Sequence, residues 1–304
     1  MPKYAVITDT NVAALYGKRL DGDLFTVPPG EKSKTLTVAQ DLMSQMVQAG
    51  CGRNTTIVAL GGGMITDLAG FVASTFCRGV PLILIPTTLL AMVDAAIGGK
   101  TAVNLPEGKN LVGSYYFPKQ VILHLPFLET LPEVEWENGI VEILKVGLVT
   151  DPDLFHHFSQ IPIEELVKRA IEAKRRIVAQ DPYETGKRAI LNLGHTIGHA
   201  LETFSHYTMS HGAAVAVGIV LEARLSHAMG ILSKMDLFAI ESRFPIPQLQ
   251  CAPEQIIDLI KVDKKSKDGV PHFVLLEKIG HPCIRSVSLN LLTEILHDAC
   301  LCSH

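Results

Sequence analysis

Apolar and polar positions alternate along the first part of the chain in the two periods that distinguish strands from helices. Short apolar runs predict strands over residues 4–8, 23–27, 56–60 and 82–85. Helical spacing of apolar residues predicts helices over 35–49 and 64–77. Strands that alternate with helices in this order predict an α/β domain built on a parallel sheet.

A helical pattern dominates after residue 131, where Leu131-Pro132-Glu133 provides a helix start. We predict helices over residues 133–149, 163–179, 186–204, 210–229, 235–242, 253–263 and 289–299. The sequence therefore predicts two domains: an α/β domain over residues 1–131 and a mainly helical domain over residues 132–304.

Composition narrows the class of protein. The chain has 304 residues, 47% of them hydrophobic and 19% charged, with a net charge of −4, which argues against nucleic acid as the main partner. The N-terminus lacks the pattern of a signal peptide, and prolines and Asp94 interrupt the most apolar stretch, residues 80–96. The six cysteines form no C-x-x-C pair and fit reduced thiols. We expect a cytoplasmic protein that does not span a membrane.

The most informative segment contains two histidines four residues apart, His195 and His199, with a third at His211. On a helix, positions i and i+4 share one face. Imidazole binds zinc-like metals and transfers protons near neutral pH, so the segment predicts a metal site, a proton-transfer site, or both. The alternative is a helix whose histidines cap it or fill a polar groove; Glu202, within about one turn of His199, favours chemistry.

Glu142 and Lys145 lie three residues apart on an otherwise apolar helix. A surface salt bridge is one interpretation, but buried charges at these positions would need partners or a metal ion. Glu142 with His195 and His211 would form a His₂Glu site of the kind found in catalytic zinc enzymes. The H-E-x-x-H protease signature is absent, because Thr196 stands where its glutamate is required.

Several loops have the composition of anion-binding sites. Gly61-Gly62-Gly63 lies between a strand and a helix, where it serves either a pyrophosphate or only a tight turn; the G-x-G-x-x-G fingerprint is not met. Gly98-Gly99-Lys100-Thr101 is not a P-loop, because Asp94 replaces its first glycine, and we expect a glycine-rich turn there. Asp9 and Asn11 follow the first strand and would bind a ribose or cap a helix.

Lys174, Arg188 and Asn192 form a polar series that leads into the histidines. Arg188 and Asn192 are spaced as i and i+4, one predicted turn before His195. Beside a metal they would suit a phosphate or carboxylate; taken singly, they are ordinary surface charges.

Taken together in order, these residues resemble the 3-dehydroquinate synthase family of the sugar-phosphate cyclase superfamily. The resemblance covers nearly the whole chain. The matching motifs are Pro29-Gly30-Glu31 with Lys34, Gly61-Gly62-Gly63 with residues 67–71, Arg78-Gly79-Val80, residues 86–91, Val93-Asp94, residues 98–104, Gly108-Lys109-Asn110, Thr130-Leu131-Pro132, Glu142 with Lys145, residues 192–199, His211 and Asp263-Lys264-Lys265.

The resemblance implies an N-terminal Rossmann-like NAD domain, a mainly α-helical domain for metal and substrate, and a homodimer. It assigns NAD contacts to Asp9, Asn11, Glu31, Lys34, Gly62, Gly63, Asp67, Thr87 and Thr88, and the ligands of Zn²⁺ or Co²⁺ to Glu142, His195 and His211. It assigns catalysis to Asp94, Lys100, Asn110, Lys145 and His199, and substrate binding to Arg78, Lys100, Lys109, Asn110, Lys174, Arg188, Asn192 and one of Lys264 or Lys265. Arg78 would reach the substrate phosphate across the dimer interface.

The implied substrate is 3-deoxy-D-arabino-heptulosonate 7-phosphate. NAD oxidises a ring hydroxyl, phosphate is eliminated, hydride returns, and the opened ring closes by an aldol step to 3-dehydroquinate in the shikimate pathway. The chain departs from the family at Thr66, Ala95, Ala96, His124 and His272, and we expect the family's segment before the first strand to be missing. Alternatives are another sugar-phosphate cyclase, an iron-type NAD-dependent polyol dehydrogenase, and a non-catalytic NAD-binding scaffold.

Overall fold

The chain folds into two compact units, residues 1–139 and 140–304. A computed structural model describes residues 3–19, 21–244, 249, 251–262, 266–267 and 270–300. The units divide inside a helix that begins at Glu133, whereas the sequence predicts a domain boundary just before it. The predicted boundary stays a prediction.

The first unit is built on a five-stranded parallel sheet, which confirms the predicted α/β architecture. The sheet order is β2-β1-β3-β4-β7. Its strands are β1 (Lys3–Asp9), β2 (Asp23–Val27), β3 (Thr55–Gly61), β4 (Leu82–Pro86) and β7 (Gln120–Val121), and β5 (Lys100–Leu105) pairs antiparallel with β6 (Gly108–Tyr115). The helices are α1 (Thr10–Tyr16), α2 (Leu36–Gln48) and α3 (Gly63–Thr75), with 3₁₀ turns at Gly17–Arg19, Glu31–Ser33, Phe76–Arg78 and Leu125–Thr130 and a π-helical turn at Ala91–Ala95.

The core of this unit lies on both faces of the sheet. Ile7 and Ile57 are fully buried in one cluster with Leu68 of α3. Val6, Val58 and other residues of the same strands pack in a second cluster. Strands buried on both faces need continuous apolar runs, which explains why the sequence pattern located them.

The second unit is mainly helical, as predicted. Its helices are α4 (Glu133–Thr150, which runs across the division), α5 (Pro152–His156), α6 (Ile163–Gln180), α7 (His195–Phe204), α8 (His211–Ala228), α9 (Lys234–Glu241), α10 (Pro253–Val262) and α11 (Leu289–Ala299), with 3₁₀ turns at Phe158–Gln160 and Lys187–Asn192. Strands β8 (Ser266–Lys267), β9 (Val270–Lys278) and β10 (His281–Ser286) form an antiparallel sheet in the order β10-β9-β8. Helix α8 is buried along most of its length. None of the helices in the described residues is both long enough and apolar enough to cross a membrane.

One local prediction was wrong. The expected helix over 186–204 breaks, because Gly194 adopts a left-handed φ of 78° before α7 and the preceding turn, Lys187–Asn192, is 3₁₀. Arg188 and Asn192 therefore do not share an α-helical face with His195. Gly98 and Gly99 have positive φ values of 109° and 70°, in line with the predicted glycine-rich turn, and β5 begins at Lys100. In the second unit, β9 and β10 add a small sheet that the sequence did not predict. These strands pair with neighbours outside the windows in which periodicity is read.

Candidate active site

Three side chains that the sequence predicts as metal ligands converge in the second unit. Glu142 comes from α4, while His195 and His211 are the first residues of α7 and α8. One donor atom from each lies within 4.8 Å of the others. Glu142 Oε1 is 3.7 Å from His195 Nε2 and 3.5 Å from His211 Nε2. A carboxylate and two imidazoles in this arrangement form a donor set suited to Zn²⁺ and similar divalent ions.

Small residues allow α7 and α8 to approach closely and bring the two histidines together. A side chain on Gly218 would place its Cβ 1.9 Å from the Gly194 carbonyl oxygen. A Cβ on Gly198 would lie 3.2 Å from the Ala214 carbonyl oxygen. The backbone N–H of Gly194 donates to Glu222 Oε2 of α8 at 2.6 Å. The glycines and this hydrogen bond fix the start of α7, and with it His195.

The second nitrogen of each imidazole is held by a hydrogen-bond acceptor. His195 Nδ1 lies 3.1 Å from the Leu193 carbonyl oxygen, and His211 Nδ1 lies 3.4 Å from Glu202 Oε2. Because these partners accept hydrogen bonds, the geometry assigns a proton to both Nδ1 atoms and directs both Nε2 atoms towards Glu142. Burial and the Lys145 charge hold the pKa of His195 well below its usual value, so this imidazole is neutral.

Burial lowers the pKa of His211, but the carboxylates of Glu142 and Glu202 outweigh this effect and raise it to about 9. A metal ion would replace the proton on His211 Nε2.

Glu142 and Lys145 form a buried ion pair, which excludes the surface interpretation. The two residues are 0% and 1% exposed. Burial alone would raise the pKa of Glu142, but Lys145 and His211 lower it to about 2. Among the described residues, no donor makes a well-formed hydrogen bond to either Glu142 oxygen. A metal ligand must be deprotonated and must have lone pairs that other donors do not occupy, and the ionised carboxylate of Glu142 meets both conditions. The donor set therefore fits a divalent cation.

His199 lies beside this cluster and outside it. Its ring centroid is 5.3 Å from that of His195, one helical turn earlier. The donor cluster contains His195 and not His199. The predicted shared face of the two histidines is confirmed, and only His195 belongs to the donor set found among the described residues.

The two cationic residues predicted to bind anions in the second unit, Lys174 and Arg188, are buried. Lys174 of α6 is 6% exposed and Arg188 is 2% exposed, so the interpretation of these residues as surface charges was wrong. Arg188 Nη1 donates to the Pro182 carbonyl oxygen at 2.6 Å, and Asn192 Nδ2 donates to Glu184 Oε1 at 2.7 Å. Lys264 and Lys265 lie outside the described residues.

In the first unit, Lys34 is the centre of a second charged cluster. Its Nζ lies 2.5 Å from Asp67 Oδ2, 2.6 Å from Asn110 Oδ1 and 3.6 Å from Glu31 Oε1. Burial lowers the Lys34 pKa, but Asp67 and Glu31 outweigh it and the net shift is upward. The structure thus joins three predicted NAD contacts with one predicted catalytic residue.

Other predicted NAD residues follow the carboxyl ends of parallel strands. Asp9, at the end of β1, accepts hydrogen bonds from the N–H groups of Asn11 and Val12 at 2.9 and 3.0 Å and caps α1, as one of the two sequence interpretations predicts. Gly62 is the N-cap of α3, and its Cβ position lies 2.9 Å from Thr88 Cγ2. The backbone N–H of Thr87 donates to the Gly61 carbonyl at 2.9 Å. This edge, with the start of α3, has the features of an anion-binding site.

The remaining predicted residues are spread over the first unit. Asp94 belongs to the π-helical turn, Lys109 is half-buried on β6, and Lys100 is exposed at the start of β5. Arg78 is exposed, with a φ of 67°. Each of these residues is placed by its own strand or turn, and their assignment to the substrate stays a prediction.

Sequence reasoning missed two residues that organise these clusters. Asn104 donates to Glu31 Oε1 at 2.8 Å and accepts from the backbone N–H of Asn110 at 2.9 Å. Asp181 accepts four hydrogen bonds from the loop that leads to Arg188. An aspartate at a helix end followed by Thr185-Gly186 is a turn signal that could have identified Asp181.

Solved structures similar to this one define the class of protein. The structure of 2-deoxy-scyllo-inosose synthase with carbaglucose-6-phosphate, NAD⁺ and Co²⁺ has a TM-score of 0.87 and 29% sequence identity, and the match covers 98% of this chain and 91% of that chain. The structure of 2-epi-5-epi-valiolone synthase from Streptomyces hygroscopicus subsp. jinggangensis, with NAD⁺ and Zn²⁺ bound, has a TM-score of 0.89 and 27% identity over the same shares. The fold is that of the sugar-phosphate cyclases.

Sequence comparisons narrow this class to one family. Residues 24–138 match the model of the 3-dehydroquinate synthase N-terminal domain, and residues 139–266 match that of the C-terminal domain. The 3-dehydroquinate synthase of Pelobacter propionicus is 40% identical over 97% of this chain and 88% of its own length. The chain belongs to the 3-dehydroquinate synthase family, whose members are carbon–oxygen lyases.

Proposed function

We propose that this protein is a 3-dehydroquinate synthase that converts 3-deoxy-D-arabino-heptulosonate 7-phosphate to 3-dehydroquinate and inorganic phosphate, in the shikimate pathway. The observation that carries the proposal is the donor set of Glu142, His195 and His211, in which Lys145 contacts Glu142 and Glu202 contacts His211. It occurs in a chain that matches both domains of this family.

The donor set supports a resident Zn²⁺ or Co²⁺, and the first unit supports NAD. Glu142, His195 and His211 would hold the ion through one carboxylate and two Nε2 atoms. NAD would lie along the carboxyl edge of the parallel sheet, against Gly62 and the start of α3, with the Lys34 cluster among its contacts. When bound, the ion supplies Lewis-acid stabilisation of a developing alkoxide, and NAD supplies a hydride acceptor that is regenerated.

The chain's own residues supply binding and proton transfer. Lys145 holds Glu142 in place and keeps it ionised. Lys174 and Arg188 carry positive charge and Asn192 carries an amide donor, so these side chains suit a substrate that carries both a phosphate and a carboxylate. His199, beside the donor set, would serve as a proton-transfer group or contact the substrate phosphate.

The identity of the substrate is the most specific part of the proposal. Curated relatives named 3-dehydroquinate synthase share about 40% identity with the chain, compared with 27–29% for two solved structures of cyclases that make other products. Lys174, Arg188, Asn192 and His199 also follow the dehydroquinate pattern in the sequence. These observations favour the heptulosonate phosphate over sedoheptulose 7-phosphate or glucose 6-phosphate.

A single assay tests the proposal. The protein is incubated with NAD, Zn²⁺ or Co²⁺ and the heptulosonate phosphate, and both inorganic phosphate and NADH are followed. We expect phosphate release without net NADH, because hydride returns within each turnover. NADH accumulation would indicate a dehydrogenase, and NAD binding without turnover would indicate a scaffold. Faster phosphate release from sedoheptulose 7-phosphate or glucose 6-phosphate would indicate another cyclase.

We also propose that the chain acts as a homodimer in the cytoplasm, with Arg78 reaching the substrate phosphate bound by the partner. The exposure of Arg78 and its left-handed backbone, in the turn after α3, support this role. Sedimentation equilibrium should give a dimer. Mixing Arg78→Ala chains with His199→Gln chains, each of which has reduced activity alone, should restore part of the activity, because one of the two sites in a mixed dimer is then intact. A fully active monomer would contradict the proposal.

A further inference from the structure

Asp181, at the end of α6, lies at the centre of a hydrogen-bonded loop. Its Oδ1 accepts hydrogen bonds from the backbone N–H and the hydroxyl of Thr185, at 2.9 and 3.1 Å. Its Oδ2 accepts from the backbone N–H groups of Gly186 and Arg188, at 2.8 and 2.9 Å. The residue is 7% exposed. A carboxylate that accepts four hydrogen bonds in this way organises a segment of chain.

The segment that Asp181 organises is the one that positions Arg188. The loop contributes the Pro182 carbonyl oxygen, which accepts a hydrogen bond from Arg188 Nη1 at 2.6 Å. Asp181 therefore fixes the Arg188 backbone directly, and through the loop it fixes the carbonyl that orients the guanidinium. Glu184 of the same loop has a φ of 56° and accepts from Asn192 Nδ2 at 2.7 Å. Both ends of the 3₁₀ turn Lys187–Asn192 are thus tied to this loop.

We propose that Asp181 is a positioning residue for substrate binding: it holds Arg188 and Asn192 in the arrangement that receives the anionic groups of the substrate. The inference rests on the proposed function, because that function makes Arg188 and Asn192 substrate contacts. Both carboxylate oxygens of Asp181 are engaged by its own loop, so this role requires no contact between Asp181 and the substrate. Its contribution is preorganisation, since a guanidinium that is already oriented loses less freedom when it binds an anion.

Asp181→Asn tests this role with little change in shape. An amide has one acceptor oxygen in place of two, so its NH₂ group must face N–H donors on one side and at least one of the loop's hydrogen bonds is lost. We expect KM for the heptulosonate phosphate to rise roughly tenfold, the equivalent of about 1.4 kcal/mol, with KM for NAD and metal content unchanged. A fall in kcat at unchanged KM would overturn the proposal, because it would place the effect on the reacting atoms.

A milder variant keeps the test decisive if Asp181→Asn folds poorly. Thr185→Val removes one hydroxyl hydrogen bond from an exposed residue. We expect KM to rise by about 2- to 3-fold, in the same direction. Asp151→Asn is the matched control. Asp151 pairs with Arg169 and caps α5, so its loss weakens the same unit but should not change KM.

A double-mutant cycle shows whether Asp181 acts through Arg188. If it does, Asp181→Asn should add much less to the KM of an Arg188→Lys variant than it adds to that of the wild type. Multiplicative effects would overturn the proposal, because the two residues would then act independently.

Direct binding separates failure of this inference from failure of the proposed function. The Kd of the heptulosonate phosphate is measured for protein loaded with metal and NADH, in which hydride cannot be accepted. If the wild type does not bind, the proposed function fails. If the wild type binds and Asp181→Asn binds equally well, only the role of Asp181 fails. We expect a rise in Kd that matches the rise in KM.

Discussion

Each unit contains a buried lysine that pairs with a carboxylate, and the surroundings of the two pairs differ. Lys34 pairs with Asp67 in the first unit, and Lys145 pairs with Glu142 in the second. Burial raises the pKa of Asp67, and Lys34 only partly offsets the shift because Glu31 and Asp94 are also near. Burial acts in the same direction on Glu142, but Lys145 and His211 reverse it and lower its pKa to about 2.

The difference lies in the third partner of each pair. Around Lys34 the additional charged groups are acids, and the lysine is enclosed by oxygen acceptors. Around Glu142 the additional groups are imidazoles that present Nε2 atoms. The first cluster is suited to polar contacts with a cofactor, whereas the second keeps a carboxylate ionised for a cation.

The largest expected effect comes from Glu142→Ala. A Lewis acid contributes several kcal/mol of charge stabilisation, so loss of this ligand should reduce activity by about 10³-fold or more. Metal content after dialysis, measured by mass spectrometry, should fall together with activity. Asp67→Ala is the matched control from the other pair and should retain the metal. An unchanged metal content in Glu142→Ala would remove Glu142 from the ligand set.

The residues on which this prediction depends could be identified from the sequence, because the signal for each lies in its neighbouring residues. Glu142 and Lys145 could be inferred to be buried because their neighbours on α4 are apolar, and the helical spacing of His195 and His199 placed them on one face. The buried strands of the sheet were predicted for the same reason: each carries its pattern within a few residues. The order of the strands in the sheet could not be predicted from any one of these segments, because it depends on which strands pair.

The features that the sequence did not reveal depend on contacts between distant segments. Gly113 of β6 allows β5 to approach, because a Cβ there would lie 2.1 Å from the Thr101 carbonyl oxygen, yet the glycine alone does not indicate a hairpin. His195 belongs to the donor set and His199 does not, and this difference depends on where α7 begins. The left-handed Gly194, whose N–H donates to Glu222, determines that point. Asn104 was missed because its side-chain partner Glu31 lies in a distant segment of the chain. Asp181 was missed because its partners lie in the irregular loop that leads to Arg188, where no periodic pattern marks them.

His199→Gln tests where the second cluster ends. His199 lies outside the donor set, so the variant should keep its metal while activity falls by about 10²-fold, the lower range for loss of a general acid or base. His195→Gln is the matched control, because it removes a ligand from the same helix and should lose the metal. Metal loss in His199→Gln would contradict the three-residue donor set and add His199 to it as a fourth ligand.

Asp67→Asn tests the task assigned to the first cluster. The variant removes the charge that faces Lys34 without removing the side chain, so Lys34 and its contacts with Asn110 and Glu31 should rearrange. We expect the Kd for NAD to rise by about tenfold, measured by calorimetry, with metal content unchanged. Unaltered NAD binding would show that the cluster is structural, and the comparison between the units would then concern only stability.

The smallest expected effect concerns the pH dependence of stability, to which one aspartate in each unit should contribute in opposite directions. Hydrogen bonds from the backbone of Arg188 and Thr185 lower the pKa of Asp181 to about 2, whereas burial raises that of Asp67. A lowered pKa stabilises the fold above the ordinary value near 4, and this stability is lost as pH falls towards 2. A raised pKa has the opposite effect on stability: the folded protein binds the proton more tightly than the unfolded chain, so the fold gains stability as pH falls through the raised pKa.

The midpoint of thermal unfolding, measured from pH 7 to pH 3, tests this contrast. The wild type should exceed Asp181→Asn by most at pH 7, and the difference should shrink below about pH 5. The difference in midpoint between the wild type and Asp67→Asn should instead change in favour of the wild type as pH falls through the raised pKa of Asp67. If both differences change in the same direction, Asp67 is held ionised like Glu142, and the partners of Lys34 are not electrostatically distinct from those of Lys145.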